Sequence, residues 1–390
     1  MIAIKCGKVN TITNGILENA IILVENGKIK EIGSNISIPS DAEIIDASNY
    51  YVMPGLIDAH THISTFSDPT TRFGMIDGNE MSNPITPFIR AMDALNPFDF
   101  AIDKVRNAGF TTVCTLPGSA NIIGGTGIVV KLRGHTAEEM IIPGTEQMKM
   151  ALGENPRGVY GHDKKLPMTR MGVAGLWRQT LAEARDYSNK LKEAETDPTK
   201  APKYDFKMES LVKVIRGEMK VRIHCHRSDD IMTAIRIAEE FNLDYSLEHA
   251  TEGYKVADVL GAKKATCVVG PLLMDPVKQE LHAVSEETAA ILCKAGATVC
   301  LTADTGSGTA WLPGNIGIII RNGLSEEDAF KSVTINPAKL LGVDKMVGSI
   351  EVGKDADIAI FDGHPFSSMT LCRFSMIDGV VYKNNLLNNL

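Results

Sequence analysis

The chain has no two cysteines spaced as CxxC, no GxGxxG turn opening a helix, no GxxxxGK[ST] phosphate loop and no GxSxG elbow. Those gaps speak against a thiol redox pair, a dinucleotide fold, a nucleotide-triphosphate site and a serine hydrolase. No apolar run approaches the roughly 18 residues that cross a bilayer. The opening MIAIKCGKVNTITNG lacks the charged-then-apolar layout of a secretion signal. Positive charge is in deficit: 40 Lys and Arg against 48 Asp and Glu give a net charge of −8. That balance argues against nucleic acid or an anionic membrane as partner. The seven cysteines are odd in number, and a chain of this size folds without covalent staples, so reduced thiols in the cytoplasm are expected.

What is present is ordinary globular material, 390 residues with 44% apolar content, enough for one large α/β domain and a smaller one. Both ends read as short strands. Ala20–Val24 and Ile29–Ile32 flank an Asn-Gly turn, a hairpin signal. Gly348–Val352, Ala356–Phe361 and Met376–Tyr382 repeat the style near the C-terminus. Residues 1–53 and 346–390 are therefore expected to build one small β-sandwich domain together. The stretch 54–345 alternates short apolar runs with helical segments. Its candidate strands are Thr111–Leu116, Gln147–Leu152, Val221–His224, Tyr245–Glu248, Ala265–Val269 and Thr298–Thr302. Helices are expected at Asp229–Phe241 and Ser285–Ala295. Alternation over nearly 300 residues implies a parallel sheet, and at that length a closed (β/α)8 barrel of the TIM type. Gly124-Gly125-Thr126-Gly127 reads as a flexible barrel loop, and 187–207 as a solvated helix tail.

Chemistry concentrates at strand ends. In PGLIDAHTH (54–62), His60 and His62 stand two apart and share one strand face. His224 and His226 close another apolar strand, His249 a third, and Asp304 ends a fourth. In a barrel the C-terminal strand ends converge on one mouth, so these groups can meet. Neutral imidazoles with carboxylates suit zinc, manganese or iron better than calcium or magnesium.

These residues, with Thr334-Ile335-Asn336-Pro337-Ala338-Lys339, Gly348-Ser349-Ile350 and GKDADIAIFDG (353–363), resemble the metal-dependent amidohydrolase superfamily, nearest its imidazolonepropionase-like and prolidase-like branch. The resemblance covers essentially the whole chain. It implies one or two divalent ions, zinc first, held by His60, His62, His224, His249 and Asp304, with Asp304 also moving a proton. It also implies a bridging group after the fourth strand. Glu154 is preferred for that role because it is already an anion at the mouth; Lys149, if carboxylated, is the alternative. His226, Lys131, His135 and Arg170 are candidates for substrate binding.

The expected activity is hydrolysis of an amide, cyclic amide or dipeptide-like C–N bond of a small molecule by metal-activated water. Deamination of a heterocycle is the alternative. Such deaminases carry a glutamate three residues beyond the fifth-strand histidine, where this chain has Arg227. A catalytically silent binding protein is the reading from another class. The partners are a small molecule and, as an open question, further copies of the chain.

Overall fold

The computed structural model describes residues 1–66 and 77–386. Four strands open the chain: β1 (Ile2–Asn10), β2 (Ile16–Glu25), β3 (Lys28–Gly33) and β4 (Glu43–Pro54). Between β2 and β3, Asn26 and Gly27 both take positive φ, 51° and 76°. A two-residue hairpin turn whose twist matches its strands demands that conformation.

Eight further strands follow: β5 (Leu56–Thr61), β6 (Phe110–Thr115), β7 (Ile123–Lys131), β8 (Gln147–Ala151), β9 (Val221–Cys225), β10 (Tyr245–His249), β11 (Thr266–Val269) and β12 (Thr298–Leu301). They pair in sequence order from β5 to β12. The last three strands are β13 (Ile358–Phe361), β14 (Cys372–Ile377) and β15 (Val380–Asn384). These return to the N-terminal strands, giving one seven-stranded sheet in the order β15-β14-β13-β4-β1-β2-β3. Its apolar face buries Ile4, Val9, Ile22, Val52, Ile358 and Phe374 in a cluster of its own. Two expectations for this region change. Gly348–Val352 forms no strand, and the expected Met376–Tyr382 run is a hairpin turning at Asp378-Gly379, both with positive φ.

The eight-stranded sheet departs from eight parallel strands at one place. β7 runs antiparallel to both neighbours, Thr115 facing Ile128 on one side and Gly127 facing Gln147 on the other. Only residues 116–122 join β6 to β7, and a parallel return needs a crossover of a dozen or more. Gly124–Gly127, expected as a flexible loop, is thus part of a buried strand. Gly125 has φ +105°, and a Cβ there would stand 2.3 Å from the Ile89 carbonyl oxygen, so only glycine lets the strand pass.

β5 and β12 share no ladder. Side chains close that seam instead. The Thr302 hydroxyl donates to the His60 carbonyl at 2.6 Å, and the Asp58 carboxylate accepts from the His60 and Ala303 amides at 3.0 and 3.2 Å. The helices pack outside, including Arg170–Ala194 and Ser228–Glu240. Trp177, from the first of them, is fully buried against Met150. Among the described residues no helix is long and apolar enough to cross a membrane.

Candidate metal centre

Inward-facing residues of the parallel strands stack in layers, as alternation requires. The deeper layer is ionic. Arg222 on β9 donates to Gln147 on β8 at 2.9 Å and grips both oxygens of Glu248 on β10 at 2.7 and 2.8 Å. All three are buried. Burial opposes ionisation of Glu248, but Arg222 and His60 outweigh it and hold the carboxyl well below the usual range.

One layer up lie His60, Lys149 and His224, each two residues beyond a deeper member of its own strand. His60 Nδ1 meets Glu248 Oε2 at 2.6 Å, and its Nε2 lies 2.8 Å from Lys149 Nζ. His249 joins this layer although its neighbour Glu248 also points inward. Its φ of 69° breaks the strand alternation and turns two successive side chains to the same side. Asp304, φ 53°, completes the rim from the end of β12. Its Oδ1 is 3.2 Å from His62 Nε2 and 3.4 Å from His60 Nε2.

Two donor groups result. His60, His62 and Asp304 form one; His224, His226 and His249 form the other, and within each group the donor atoms lie within 4.8 Å of one another. The rings of His60 and His249 are 5.1 Å apart between centroids, so the groups adjoin. Outer partners set the rings. His62 Nδ1 meets the Leu116 carbonyl at 2.9 Å, His249 Nδ1 the Gly270 carbonyl at 2.7 Å, and His226 Nδ1 the Thr251 hydroxyl at 2.8 Å. The two carbonyl contacts make Nδ1 the donor in His62 and His249 and leave the opposite nitrogen with a free lone pair. Burial, first of all, pulls His60, His224 and His226 well below the ordinary imidazole range and lowers His249. Neutral imidazole is the form that binds a cation. Burial likewise brings the Lys149 ammonium down to about 8. Asp304 resists burial through His249, His62 and His60 and stays well below the carboxylate range.

A divalent cation fits these residues on a separate ground. One buried polar atom here, His224 Nδ1, has no hydrogen-bond partner, and Asp304 Oδ1 has only the imidazole nitrogens of His62 and His60 beside it. Buried polar atoms without partners are rare, and a bound ion is one of the few ways to satisfy them.

Residues 51–386 match the model of the amidohydrolase family. The chain belongs to that family. An amidohydrolase of Hapsidospora irregularis, named tasK, is 28% identical over 375 residues, 88% of this chain. The chain spans 38% of that relative's length. The imidazolonepropionase of Maricaulis maris is 24% identical over 375 residues, covering 89% of this chain and 88% of its own. Among solved structures, an amidohydrolase from Thermotoga maritima superposes with a TM-score of 0.94 at 41% identity, over 98% of this chain and 100% of that one.

In this amidohydrolase the other expected site residues are distributed unevenly. Glu154 starts a helix, and its Oε2 accepts the Glu280 amide at 3.2 Å. Lys131 lies at the opposite end of the barrel, because β7 is reversed and places it beside Thr112 at the start of β6. There its ammonium is buried among Asp355, Asp357 and Asp378, 2.7 Å from the first and 3.1 Å from the second. His135 follows β7 and stacks near Phe98, 6.4 Å between centroids. Neither meets the histidines. Arg170 does come close, pairing with Asp230 at 3.0 Å and standing 3.9 Å from Glu280. Trp311 is 64% exposed, with the Lys104 ammonium over its ring.

Asp58, Glu248, Arg222 and Glu280 were not singled out from the sequence. Asp58 and Arg222 carried a usable signal, each standing two residues before a histidine and so on the same strand face.

Proposed function

We propose that the protein is a metal-dependent hydrolase of a small molecule's C–N bond, in an amide, cyclic amide or dipeptide-like substrate. One observation carries the reading: two adjoining imidazole-rich donor groups at the barrel mouth, one of them completed by the Asp304 carboxylate beside His60 and His62. His60, His62 and Asp304 would hold one ion and His224, His226 and His249 the other, zinc being the ion that such nitrogen-rich donors favour. An ion bound there polarises a carbonyl and makes water acidic enough to supply hydroxide near neutral pH.

The chain's own groups supply the remainder. Asp304, held ionised by the surrounding imidazoles, accepts the proton of the attacking water and returns it to the leaving nitrogen. Glu248, itself gripped by Arg222, orients His60 through Nδ1. We assign the bridging position to Lys149 rather than Glu154. Lys149 Nζ is on the inner face of β8 at 2.8 Å from His60, whereas Glu154 is engaged with the backbone of residue 280. Addition of carbon dioxide to the neutral amine, with loss of one proton, would make the carbamate anion that this place calls for.

Deamination has less support. Arg227 stands where a proton-transferring glutamate would be needed, and it pairs with Asp229 at 2.9 Å. A silent scaffold is disfavoured because both donor groups are whole. The domain limits 1–53 with 346–390, and 54–345, belong to the same reading, as does a terminal sheet curled into a sandwich; residues 387–390 lie outside the described ones. Seven free thiols suit a cytoplasmic protein acting on a small molecule, with no nucleic acid or membrane partner.

The deciding experiment is a screen of dipeptides, N-acyl amino acids and cyclic amides against zinc-loaded protein. Turnover that a chelator abolishes and zinc restores supports hydrolysis. Turnover indifferent to chelation refutes it.

A further inference from the structure

Away from the metal centre, a groove of about 690 Å³ runs along the joint between the barrel and the terminal sheet. Lys104, Trp311 and Ile318 line it from the barrel side, Phe361, Arg373 and Lys383 from the sheet side. None of the six donors at the barrel mouth reaches it. Its size lies within the range of small-molecule sites, about 300–1,000 Å³. The walls are fixed. A Cβ on Gly317 would stand 2.3 Å from the Phe366 carbonyl oxygen, so the helix Leu312–Arg321 lies directly against the loop 362–371. That loop is closed on itself, the Asp362 amide donating to the Leu371 carbonyl at 3.1 Å and the Leu371 amide to the Asp362 carboxylate at 2.8 Å.

The charge of the groove runs against that of the chain. Acids outnumber bases by 48 to 40 overall, yet the lining holds Lys104, Arg373 and Lys383 and no Asp or Glu. Arg373 is spent on Asp362 at 2.6 Å. The two lysines are not spent on any acid. Lys104 Nζ lies 4.2 Å from the centre of the Trp311 ring, and Lys383 Nζ donates to the Asn107 carbonyl at 3.0 Å. Among the described residues neither ammonium has a carboxylate partner, although both side chains are partly buried. Trp311 meanwhile leaves most of its indole to solvent. A large exposed aromatic surface beside a concave wall marks a place where something apolar binds.

We propose that this groove binds a small planar anion, an aromatic ring carrying a phosphate or a carboxylate. The ring packs on the Trp311 indole, and the anionic group takes the free N–H donors of Lys104 and Lys383. Ser367, Ser368 and Thr370, on the same wall, offer hydroxyls to the remaining oxygens. The site is separate from the metal centre, and it stands whether or not the hydrolase reading does.

The test reads binding rather than turnover. The chain has two tryptophans, and the other, Trp177, is fully buried, so quenching of the exposed indole reports the groove. Phenyl phosphate and benzoate are titrated separately into the purified protein, which tells a phosphate site from a carboxylate site. Inorganic phosphate serves as the probe without a ring and benzyl alcohol as the probe without a charge. At least one aromatic anion should saturate the quenching with a Kd below about 1 mM, and more weakly as salt rises. Both controls should bind about 10-fold more weakly or not at all. Lys104→Ala and Lys383→Ala should each weaken the aromatic anion by about 10-fold or more, the usual worth of one hydrogen bond to a charged group. Equilibrium dialysis with Trp311→Ala, which has lost the signal, should show weakened binding too. Absence of saturable quenching by either aromatic anion overturns the proposal. So does wild-type affinity in both folded lysine variants. Quenching that disappears when the protein is stripped of metal places the probe at the histidines and overturns it as well.

Discussion

Lys149 Nζ stands 2.8 Å from His60 Nε2, both side chains buried, on neighbouring inward positions of β8 and β5. An ammonium against an imidazole, with Asp304 and Glu248 close by, is an unusual resting place for a lysine unless the amine is modified. Lys149→Ala should lose at least 100-fold in kcat/KM. A short carboxylic acid such as acetate or propionate should restore part of it by standing in the vacated space. Stripped wild type reloaded with zinc should regain activity faster with bicarbonate than in buffer freed of carbon dioxide. Equal recovery in both buffers would return the bridging role to another group.

Asp304→Asn keeps the size of the side chain and removes the proton acceptor. General acid–base groups contribute about 10²–10⁴ in rate, so kcat should fall by that range. Bound metal, counted by mass spectrometry, should fall only in part, because His60 and His62 remain.

Glu248→Gln removes the charge that orients His60 and leaves the buried Arg222 guanidinium uncompensated. Breaking a buried pair from one side costs about 3–5 kcal/mol, and loss of an outer partner weakens a metal site about 10–100-fold. Denaturant unfolding should show the first effect and zinc-buffer titration the second.

Lys131→Met tests a residue that the sequence offered as a substrate contact. With Asp355, Asp357 and Asp378 left around an apolar side chain, stability should drop by about 3–5 kcal/mol, read from urea unfolding. The folded fraction should keep a wild-type KM, since Lys131 is at the far end of the barrel from the histidines. A raised KM with unchanged stability would reverse that conclusion.

The sequence made the histidines of the candidate site legible because each ends an apolar run, and strand ends of a barrel share one mouth. His60, His62, His224, His249 and Asp304 all arrive where that logic sends them. Lys149 against Glu154 was harder. Charge and nearness to the strand tip favoured Glu154, whereas it is Lys149, on the inner face of β8, that the structure sets beside His60. Glu248 was hidden for a related reason, since alternation would turn it away from its neighbour His249 and only the positive φ of His249 brings both inside. Reversal of β7 depends on the seven-residue connection 116–122, whose Pro-Gly reads as an ordinary loop. Glu280 sits in an irregular connection with no periodicity to place it.

The join between β5 and β12 lacks a backbone ladder and is fastened by Asp58 and Thr302, each to groups more than 240 residues away in sequence. The candidate metal centre straddles that join. During synthesis His60 emerges early, yet it has no Asp304 to meet until nearly the whole polypeptide has been made. Contacts so distant along the chain form late and slowly, so the His60–His62–Asp304 donor group is assembled only as the ring of strands closes.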